Sequence, residues 1–313
     1  MDLFEFLENN NIEFKLSEPL SNHTNFKIGG KAYVMAFPSS ISKFIRLLKF
    51  VKTYKIKFFV LGNGTNMLCS DNGFNGLIIK LGKNLKGYKI SQNLVYAEAG
   101  VNLFEFNRIL AKNGLSNLEF TYGIPGSVGG AVYMNAGAFN KSIGDYIKQV
   151  KVFDGERIRT LNQHELNFKY RHSTFQEKNY IILGASFNLN IDNPENITNL
   201  MNSYLTHRKE TQPYFESSAG SVFKRLDGGE KPVSKMIDDL GLKGKHINDA
   251  YVSTIHAGFI VNKGKATCKD VLNLIEYIKE KVSSRFGVTP NLEIKILGEE
   301  DGITWWLSHS HNI

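Results

Sequence analysis

The sequence predicts a mixed α and β protein, and two observations lead to this prediction. Short apolar runs with the length of buried strands, such as 57–62 and 76–81, alternate with segments whose apolar residues recur at helical spacing. Two glycine-rich segments, "VLGNGTNML" (60–68) and "GIPGSVGGAVYMNAGAF" (123–139), carry apolar residues between their glycines and do not resemble linkers. Alternating strand and helix signals are typical of domains that pack helices against sheets.

Two helices are predicted in the first third of the chain. Residues 41–51 place apolar side chains on one stripe, and Ser39 and Ser40 precede this stripe as candidate N-caps. Asn102 is placed to cap the second helix. The apolar stripe of that helix comprises Leu103, Phe106, Ile109 and Leu110.

Further strands and a change of composition follow. Residues 94–100, 146–154 and 180–191 have the apolar and β-branched content of strands. The segment "DNPEN" (192–196) is polar and contains proline, so a domain boundary is predicted there. Residues 196–209 are predicted to be helical.

The best-marked helix lies near the C-terminus. Thr267 and Asp270 have the spacing of a capping box, and Gly287 is placed as a C-cap. Its predicted buried stripe comprises Val271, Leu274, Ile275, Ile278 and Val282.

Length and composition favour a cytoplasmic globular protein. The chain has 313 residues, of which 42% are apolar, enough for two or three domains. Residues 1–15 carry acidic groups where a signal peptide has basic ones, and no apolar run approaches the roughly 18 residues that span a bilayer. Cys69 and Cys268 form no CxxC pair, which is typical of a reducing compartment. We therefore expect no membrane partner.

The net charge of +8 is consistent with an anionic ligand or with a charged, solvated surface. The lysines are scattered, and no RNA-binding, helix-turn-helix or zinc-finger motif is present, so nucleic acid is not an expected partner. The tail segment "HSH" (309–311) lacks a neighbouring carboxylate, and no metal site is predicted.

The first glycine-rich site follows a predicted strand. Gly62 and Gly64 free the backbone, while Asn63, Thr65 and Asn66 offer side-chain hydrogen bonds. Such a turn can form a nest of N–H groups that holds an anion, although an ordinary tight turn is the alternative. The segment is neither a P-loop nor a G-x-G-x-x-G motif.

The second site has glycines at three-residue spacing, Gly123, Gly126 and Gly129, followed by Gly130. Bare backbone on one side of a turn or short helix permits contact with a pyrophosphate, and close packing of a helix on a sheet is the alternative. Two such sites favour a dinucleotide that is not held in a Rossmann fold.

Eight segments occur in the order and spacing of one enzyme family. They are "NHTNFKIGG" (22–30), "VLGNGTNML" (60–68), "YGIPGSVGGAVYMNAGAF" (122–139), "FKYRHSTF" (168–175), "SSAGSVFKR" (217–225), "GLKG" (241–244), "AYVSTIHAGFIVNKGKAT" (250–267) and "FGVTPNLEIKILG" (286–298). From about residue 20 to 297 the chain resembles the UDP-N-acetylenolpyruvoylglucosamine reductase family, in its shorter subclass that lacks an inserted substrate loop.

The resemblance implies an α+β fold. A two-lobed FAD-binding region of the vanillyl-alcohol-oxidase or PCMH type would precede a C-terminal α/β substrate-binding domain. The implied domains are 1–84, 85–197 and 198–313, the last with an unmatched tail at 299–313. Noncovalent FAD, NADPH as co-substrate and no obligate protein partner are also implied.

The family completes UDP-N-acetylmuramate synthesis for bacterial cell walls. The implied reaction moves a hydride from reduced FAD N5 to C3 of UDP-N-acetylglucosamine-enolpyruvate, and a proton to C2. Ser221 matches the proton donor, whose hydroxyl must be held beside the carbanion. Arg171 matches the arginine that meets the carboxylate and enolate, and Glu293 the carboxyl group that assists. The alternatives are a turn serine, a surface arginine and a solvent-facing strand residue.

The resemblance also implies binding residues. Those implied for substrate are Tyr170, Lys224, Arg225 and Asn262. Those implied for FAD are Gly62, Asn63, Gly64, Thr65, Asn66, Tyr122, Gly123, Ile124, Pro125, Gly126, Ser127, Gly129 and Gly130.

The chain departs from the family at Pro290, where leucine is usual, and in its tail, where Trp305, Trp306 and Leu307 match nothing. Three other functions stay open. An oxidase of a hydroxy compound on the same cofactor fold would have no reason to carry "AGSVFK" and "HAGFIVN". A binding module for anions or nucleic acid would carry no flavin. An inactive family member would not need Ser221, Arg171 and Glu293.

Overall fold

The computed structural model describes residues 2–82, 85–300 and 303–304. Within these ranges the chain forms seven α-helices: α1 (Leu3–Asn9), α2 (Ile41–Thr53), α3 (Leu103–Lys112), α4 (Val128–Met134), α5 (Pro194–Thr211), α6 (Val233–Asp239) and α7 (Cys268–Phe286). The strands of the same ranges are β1 (Glu13–Pro19), β2 (Lys31–Phe37), β3 (Phe58–Leu61), β4 (Met67–Cys69), β5 (Phe74–Lys80), β6 (Tyr88–Ser91), β7 (Leu94–Glu98), β8 (Leu115–Ser116), β9 (Gly137–Ala138), β10 (Lys141–Ser142), β11 (Ile147–Phe153), β12 (Ile158–Asn162), β13 (Ile181–Asn188), β14 (Asn190–Ile191), β15 (Ser217–Ser221), β16 (His246–Ile247), β17 (Ala250–Val252), β18 (Phe259–Asn262), β19 (Lys295–Leu297), β20 (Glu299–Glu300) and β21 (Ile303–Thr304).

The mixed α and β class is confirmed, and the helix ends follow the predicted chemistry. The side chains of Ser40 and Asn102 accept backbone hydrogen bonds at the starts of α2 and α3. Thr267 and Asp270 form the reciprocal capping box of α7, and Gly287 ends that helix at a φ of 71°. The predictions for Trp305, Trp306, Leu307 and 309–311 concern segments outside the described residues.

The N-terminal sheet has the strand order β1-β2-β5-β3. Strand β1 is antiparallel to β2, whereas β2, β5 and β3 run parallel. Helices α1 and α2 cover one face with buried Phe6, Leu7, Phe44 and Leu47. Because parallel strands end at one edge of the sheet, the Gly62 turn after β3 and the end of β5 lie side by side.

The second sheet is antiparallel and has the order β12-β11-β13-β7-β6. Phe106 of α3, Val128 of α4 and Phe187 of β13 are fully buried in an apolar core that continues into the first sheet. Since one core includes residues from both sheets, the domain boundary at 84/85 stays a prediction.

The third sheet, of order β15-β18-β17-β16, packs with α6 and α7 in a separate apolar cluster. The predicted boundary at 197/198 falls within α5 and also stays a prediction. Strand β19 then pairs in parallel with β4, with Lys295 opposite Met67. This pairing returns the end of the C-terminal region to the N-terminal one.

No helix within the described ranges is long and apolar enough to cross a membrane. The same residues contain no group of three or more His, Cys, Asp or Glu side chains arranged to hold a metal ion.

Candidate active site

A cavity of about 1380 Å³ lies where the three sheets meet. This volume exceeds the ~300–1,000 Å³ usual for a site that holds one small ligand. Most residues predicted to bind or react line it: Gly62, Asn63, Gly64, Thr65, Asn66, Gly123, Ile124, Pro125, Gly126, Ser127, Gly129, Gly130, Tyr170, Arg171, Ser221, Arg225 and Glu293.

Three residues that are predicted to bind ligands do not line the cavity formed by the described residues. Tyr122 is 5% exposed and stacks on Phe104, with ring centroids 4.3 Å apart. Lys224 donates its backbone N–H to the Asn291 carbonyl, and it is not among the residues that line the cavity.

Asn262 is the third, and its buried amide is already occupied. Its Nδ2 donates to the Phe26 carbonyl at 3.1 Å, and its Oδ1 accepts from the Gly264 and Ala266 N–H groups at 2.9 and 3.0 Å. This amide joins the third sheet to the 22–30 segment and so links two parts of the structure, while a substrate contact at Asn262 stays a prediction.

The first glycine turn is shaped by close contacts with protein backbone. Gly64 has a φ of 70°, and a Cβ there would lie 2.1 Å from the His23 carbonyl oxygen. A Cβ at Gly62 would lie 2.8 Å from Ser127 Oγ, so the two glycine-rich segments touch at this point.

Lys80, at the end of β5, lies under the same turn. Its Nζ donates to the Gly62 carbonyl oxygen at 2.5 Å. Burial lowers its pKa to about 8. Lys80 was not predicted as a site residue, although a lysine that ends an otherwise apolar buried strand is a signal in the sequence.

The glycines of the second segment serve two purposes. A Cβ at Gly129 would lie 2.8 Å from Ala99 Cβ, so this glycine lets α4 pack closely on the end of β7. A Cβ at Gly126 would meet nothing nearer than Leu103 Cδ1 at 3.5 Å, and one at Gly130 nothing nearer than Ser127 Oγ at 3.4 Å. Gly126 and Gly130 therefore leave bare backbone beside the cavity.

Arg171 and Glu293 are brought together although 122 residues separate them. Arg171 Nε donates to Glu293 Oε1 at 2.6 Å, and Arg171 Nη2 donates to the Gly137 carbonyl at 2.9 Å. The guanidinium also lies 5.1 Å from the centroid of the Tyr170 ring. Arg171 has a φ of 49°, a conformation uncommon for arginine that turns the chain at the cavity wall.

Ser221 ends β15 directly after Gly220, which has a φ of 82° and space around it. Its hydroxyl donates to the Phe223 carbonyl at 3.3 Å, a long bond that a ligand can replace. The Glu293 N–H donates to the Val222 carbonyl at 2.8 Å, so the backbones that carry Ser221 and Glu293 are adjacent.

Asn66 holds the segment that carries Glu293, just before β19. Its Nδ2 donates to the Glu293 carbonyl at 3.1 Å, and its own carbonyl accepts the Lys295 N–H at 2.9 Å. An asparagine predicted to contact the cofactor therefore also connects the first glycine turn to the segment that carries Glu293.

Lys295 and Gln176 complete this wall and were missed from the sequence. Lys295 Nζ lies 3.4 Å from Gln176 Oε1, and Gln176 Nε2 donates to the Tyr133 and Arg171 carbonyls. Burial lowers the pKa of Lys295, and the Lys224 charge lowers it further. The sequence signal was the two-residue spacing of Lys295 from Glu293, which places both on one side of an extended segment.

Three properties of the cavity fit FAD. The bare backbone at Gly126 and Gly130 admits a bulky group, and the space is large enough for a dinucleotide beside a second ligand. The third is a buried cation: Arg208 lines the cavity, and its Nε has no hydrogen-bond partner among the described residues.

Comparison with known proteins gives the same result. Residues 32–160 match the family model described as "FAD binding domain". Residues 212–297 match "UDP-N-acetylenolpyruvoylglucosamine reductase, C-terminal domain". The FAD-binding domain and the cavity on its glycine segments define a FAD-dependent oxidoreductase.

Full-length relatives identify the family. The UDP-N-acetylenolpyruvoylglucosamine reductase of Pseudothermotoga lettingae is 44% identical over 93% of this chain and 100% of its own length. That of Caldanaerobacter subterraneus subsp. tengcongensis is 44% identical over 91% of this chain and 94% of its own. The crystal structure of the Thermus caldophilus reductase matches with a TM-score of 0.77 and 32% identity, over 91% of this chain and 98% of that one. The chain belongs to the UDP-N-acetylenolpyruvoylglucosamine reductase family, and the predicted family, FAD-binding fold and FAD cofactor are confirmed.

Proposed function

We propose that this enzyme reduces the enolpyruvyl group of UDP-N-acetylglucosamine-enolpyruvate with electrons from NADPH, giving UDP-N-acetylmuramate for peptidoglycan synthesis in the cytoplasm. One observation carries the proposal. Ser221, Arg171 and Glu293 come from three distant parts of the chain and line the same cavity as the two glycine segments.

The glycine segments would hold FAD along the N-terminal wall. Bound, reduced FAD supplies a hydride from N5 to C3 of the enolpyruvyl group. The open sides of Gly126 and Gly130 would lie against the cofactor, while Lys80 holds the first turn in place through the Gly62 carbonyl.

Ser221 would donate the proton that C2 requires. Its hydroxyl lies at a strand end, and its long bond to the Phe223 carbonyl costs little to exchange for a substrate atom. A serine hydroxyl is a weak acid in water, so cations on the same wall must stabilise the oxygen as the proton leaves. Arg171 and Lys295 are two of the cations that line the cavity.

Arg171 would bind the substrate carboxylate. A guanidinium has five N–H donors, and the protein acceptors Glu293 and Gly137 occupy two of those of Arg171. The others can donate to the carboxylate and to the charge that develops on it in the transition state. Glu293 would keep the guanidinium in this orientation and also reach the reacting carbon through its second oxygen.

The UDP group would lie along the C-terminal wall. Arg225 lines this side, and its backbone N–H donates to the Tyr170 hydroxyl at 3.2 Å. This bond joins the segment after Ser221 to the segment of Arg171, so substrate phosphates beside Arg225 would be held in register with the reacting carbons.

NADPH would use the substrate side of the same cavity in a separate step. The second cavity described is close to the size of one water molecule, about 10 Å³, and cannot hold a nucleotide. The nicotinamide and the enolpyruvyl ether would therefore occupy the space beside FAD in turn.

Anaerobic reduction and reoxidation test the proposal. NADPH should bleach the flavin absorbance of the purified protein, and UDP-N-acetylglucosamine-enolpyruvate should restore it with a product that has gained two hydrogens by mass spectrometry. The oxidase alternative would be favoured if only oxygen reoxidised the reduced flavin. It would also be favoured if the flavin were reoxidised by a ketone, the product that an oxidase forms from a hydroxy compound.

A further inference from the structure

One buried cation in the cavity has a nitrogen without a hydrogen-bond partner among the described residues. Arg208, in the last turn of α5, is only 8% exposed. Its Nε is a buried nitrogen without a hydrogen-bond partner among the described residues. Its NH1 group lies 3.4 Å from Gln212 Oε1, which is a long contact.

The surroundings of Arg208 raise the cost of its charge. No carboxylate of the described residues forms an ion pair with it, and its closest aromatic partner is Phe139, at 5.8 Å from the ring centroid. Burial lowers the pKa of this guanidinium to about 10, the Tyr214 hydroxyl opposes that shift, and the Arg171 charge adds to it. A buried charge with no counter-charge destabilises a protein unless something else supplies the acceptor.

The position of Arg208 indicates which ligand supplies it. A Cβ at Gly123 would lie 3.0 Å from Arg208 Cδ and 3.7 Å from Nε, so the side chain lies directly on the second glycine segment. The substrate-side residues Ser221 and Arg225 belong to the C-terminal wall. A resident cofactor can satisfy a permanently buried group throughout turnover, whereas a substrate that leaves after each cycle cannot.

We propose that Arg208 is a FAD-binding residue whose guanidinium donates to an oxygen of the bound cofactor on the glycine side of the cavity. The inference rests on the proposed cofactor site. It assigns a role to a residue that lies in a polar helix outside every glycine segment.

Replacement of Arg208 by methionine, which is apolar and similarly long, separates this role from a structural one. FAD titrated into the flavin-free full-length chain, followed by flavin fluorescence, should bind Arg208→Met at least about tenfold more weakly than wild type. The melting temperature of the flavin-free variant should stay level or rise, because an uncompensated buried charge has been removed. The rise in melting temperature that FAD produces should shrink.

The control is Lys209→Met, which removes an exposed cation from the next position of the same helix and should leave FAD binding unchanged. Arg208→Lys keeps the charge but loses the Nε donor, and should fall between wild type and Arg208→Met. This variant also serves if Arg208→Met does not fold. A titration of UDP-N-acetylglucosamine into the FAD-loaded enzyme tests whether the substrate, and not FAD, provides the oxygen that accepts from Arg208.

Three results would overturn the proposal. Unchanged FAD affinity with a lower melting temperature would make Arg208 structural. Lost affinity for UDP-N-acetylglucosamine with normal FAD binding would move the acceptor to the substrate. If Arg208→Met and Arg208→Lys both kept the FAD affinity and melting temperature of the wild type, Arg208 would have no role in FAD binding. A wild-type chain that binds no FAD would be a different failure, that of the cofactor site itself.

Discussion

Gly126 and Gly129 are expected to be needed for different reasons, one for FAD binding and the other for packing. Replacing each glycine by alanine distinguishes the two reasons. At Gly129 the new methyl group would lie 2.8 Å from Ala99 Cβ, well inside the ~3.5–4.0 Å optimum for carbon atoms. Overpacking of this kind costs about 1–3 kcal/mol. Alanine is favoured over glycine in a helix by about 0.5–1 kcal/mol. The expected net loss of stability for Gly129→Ala is therefore about 0–2.5 kcal/mol, with a midpoint of about 1 kcal/mol.

At Gly126 the methyl group has room within the protein, since its nearest neighbour would be 3.5 Å away. Gly126→Ala should therefore leave the melting temperature of the flavin-free chain almost unchanged. Its methyl group projects beside the cavity, so FAD should bind at least about tenfold more weakly, a loss of about 1.4 kcal/mol.

Thermal unfolding of the flavin-free chain and FAD titration by fluorescence measure both effects. Gly129→Ala should lower the melting temperature by several degrees and change FAD affinity little. The reasoning is refuted if Gly126→Ala binds FAD normally, or if Gly129→Ala loses FAD affinity without losing stability.

Three further predictions follow from contacts in the cavity and its walls. Asn262→Ala should lower the free energy of unfolding by about 2–3 kcal/mol without raising the substrate KM, because it leaves buried backbone groups unpaired; a raised KM at unchanged stability would restore it as a substrate contact. Since the pKa of Lys80 falls from 10.5 to about 8 in the folded chain, wild-type stability should rise between those pH values relative to Lys80→Met, by up to ~3 kcal/mol; parallel stability curves in urea would contradict this. Initial rates with NADPH and substrate varied together should give parallel double-reciprocal lines, and intersecting lines would show that both bind at once.

Local signals predicted the regular elements well. The capping box of Thr267 and Asp270 and the glycine after α7 act within a few residues, so their geometry is written in the adjacent sequence. The stripe of α2 and the cap at Ser40 are equally local.

Contacts between distant segments could not be predicted in this way. The family resemblance predicts that Asn262 binds substrate. In the structure its amide donates to the Phe26 carbonyl, 236 residues away, and nothing near Asn262 in the sequence indicates that partner. Arg208 lies in a helix with a largely polar sequence, so its burial was equally invisible.

The glycine segments show the limit most clearly. Gly126 and Gly129 have the same spacing and similar neighbours in the sequence, yet only Gly129 is required by contact with Ala99. The direction in which each missing side chain would point depends on how α4 packs against β7. The sequence therefore predicted the site but not the separate reason for each glycine.

In the proposed mechanism Ser221 delivers a proton in one half-reaction and has no part in the other. Stopped-flow absorbance of the flavin measures both in Ser221→Ala, with Ser217→Ala, four residues earlier in β15, as the matched control. Reduction by NADPH should stay within about threefold of wild type, while reoxidation by UDP-N-acetylglucosamine-enolpyruvate should slow by at least about 10²-fold. If Ser221→Ala slows both half-reactions equally, or neither, Ser221 is not the proton donor and the proposed chemistry is contradicted.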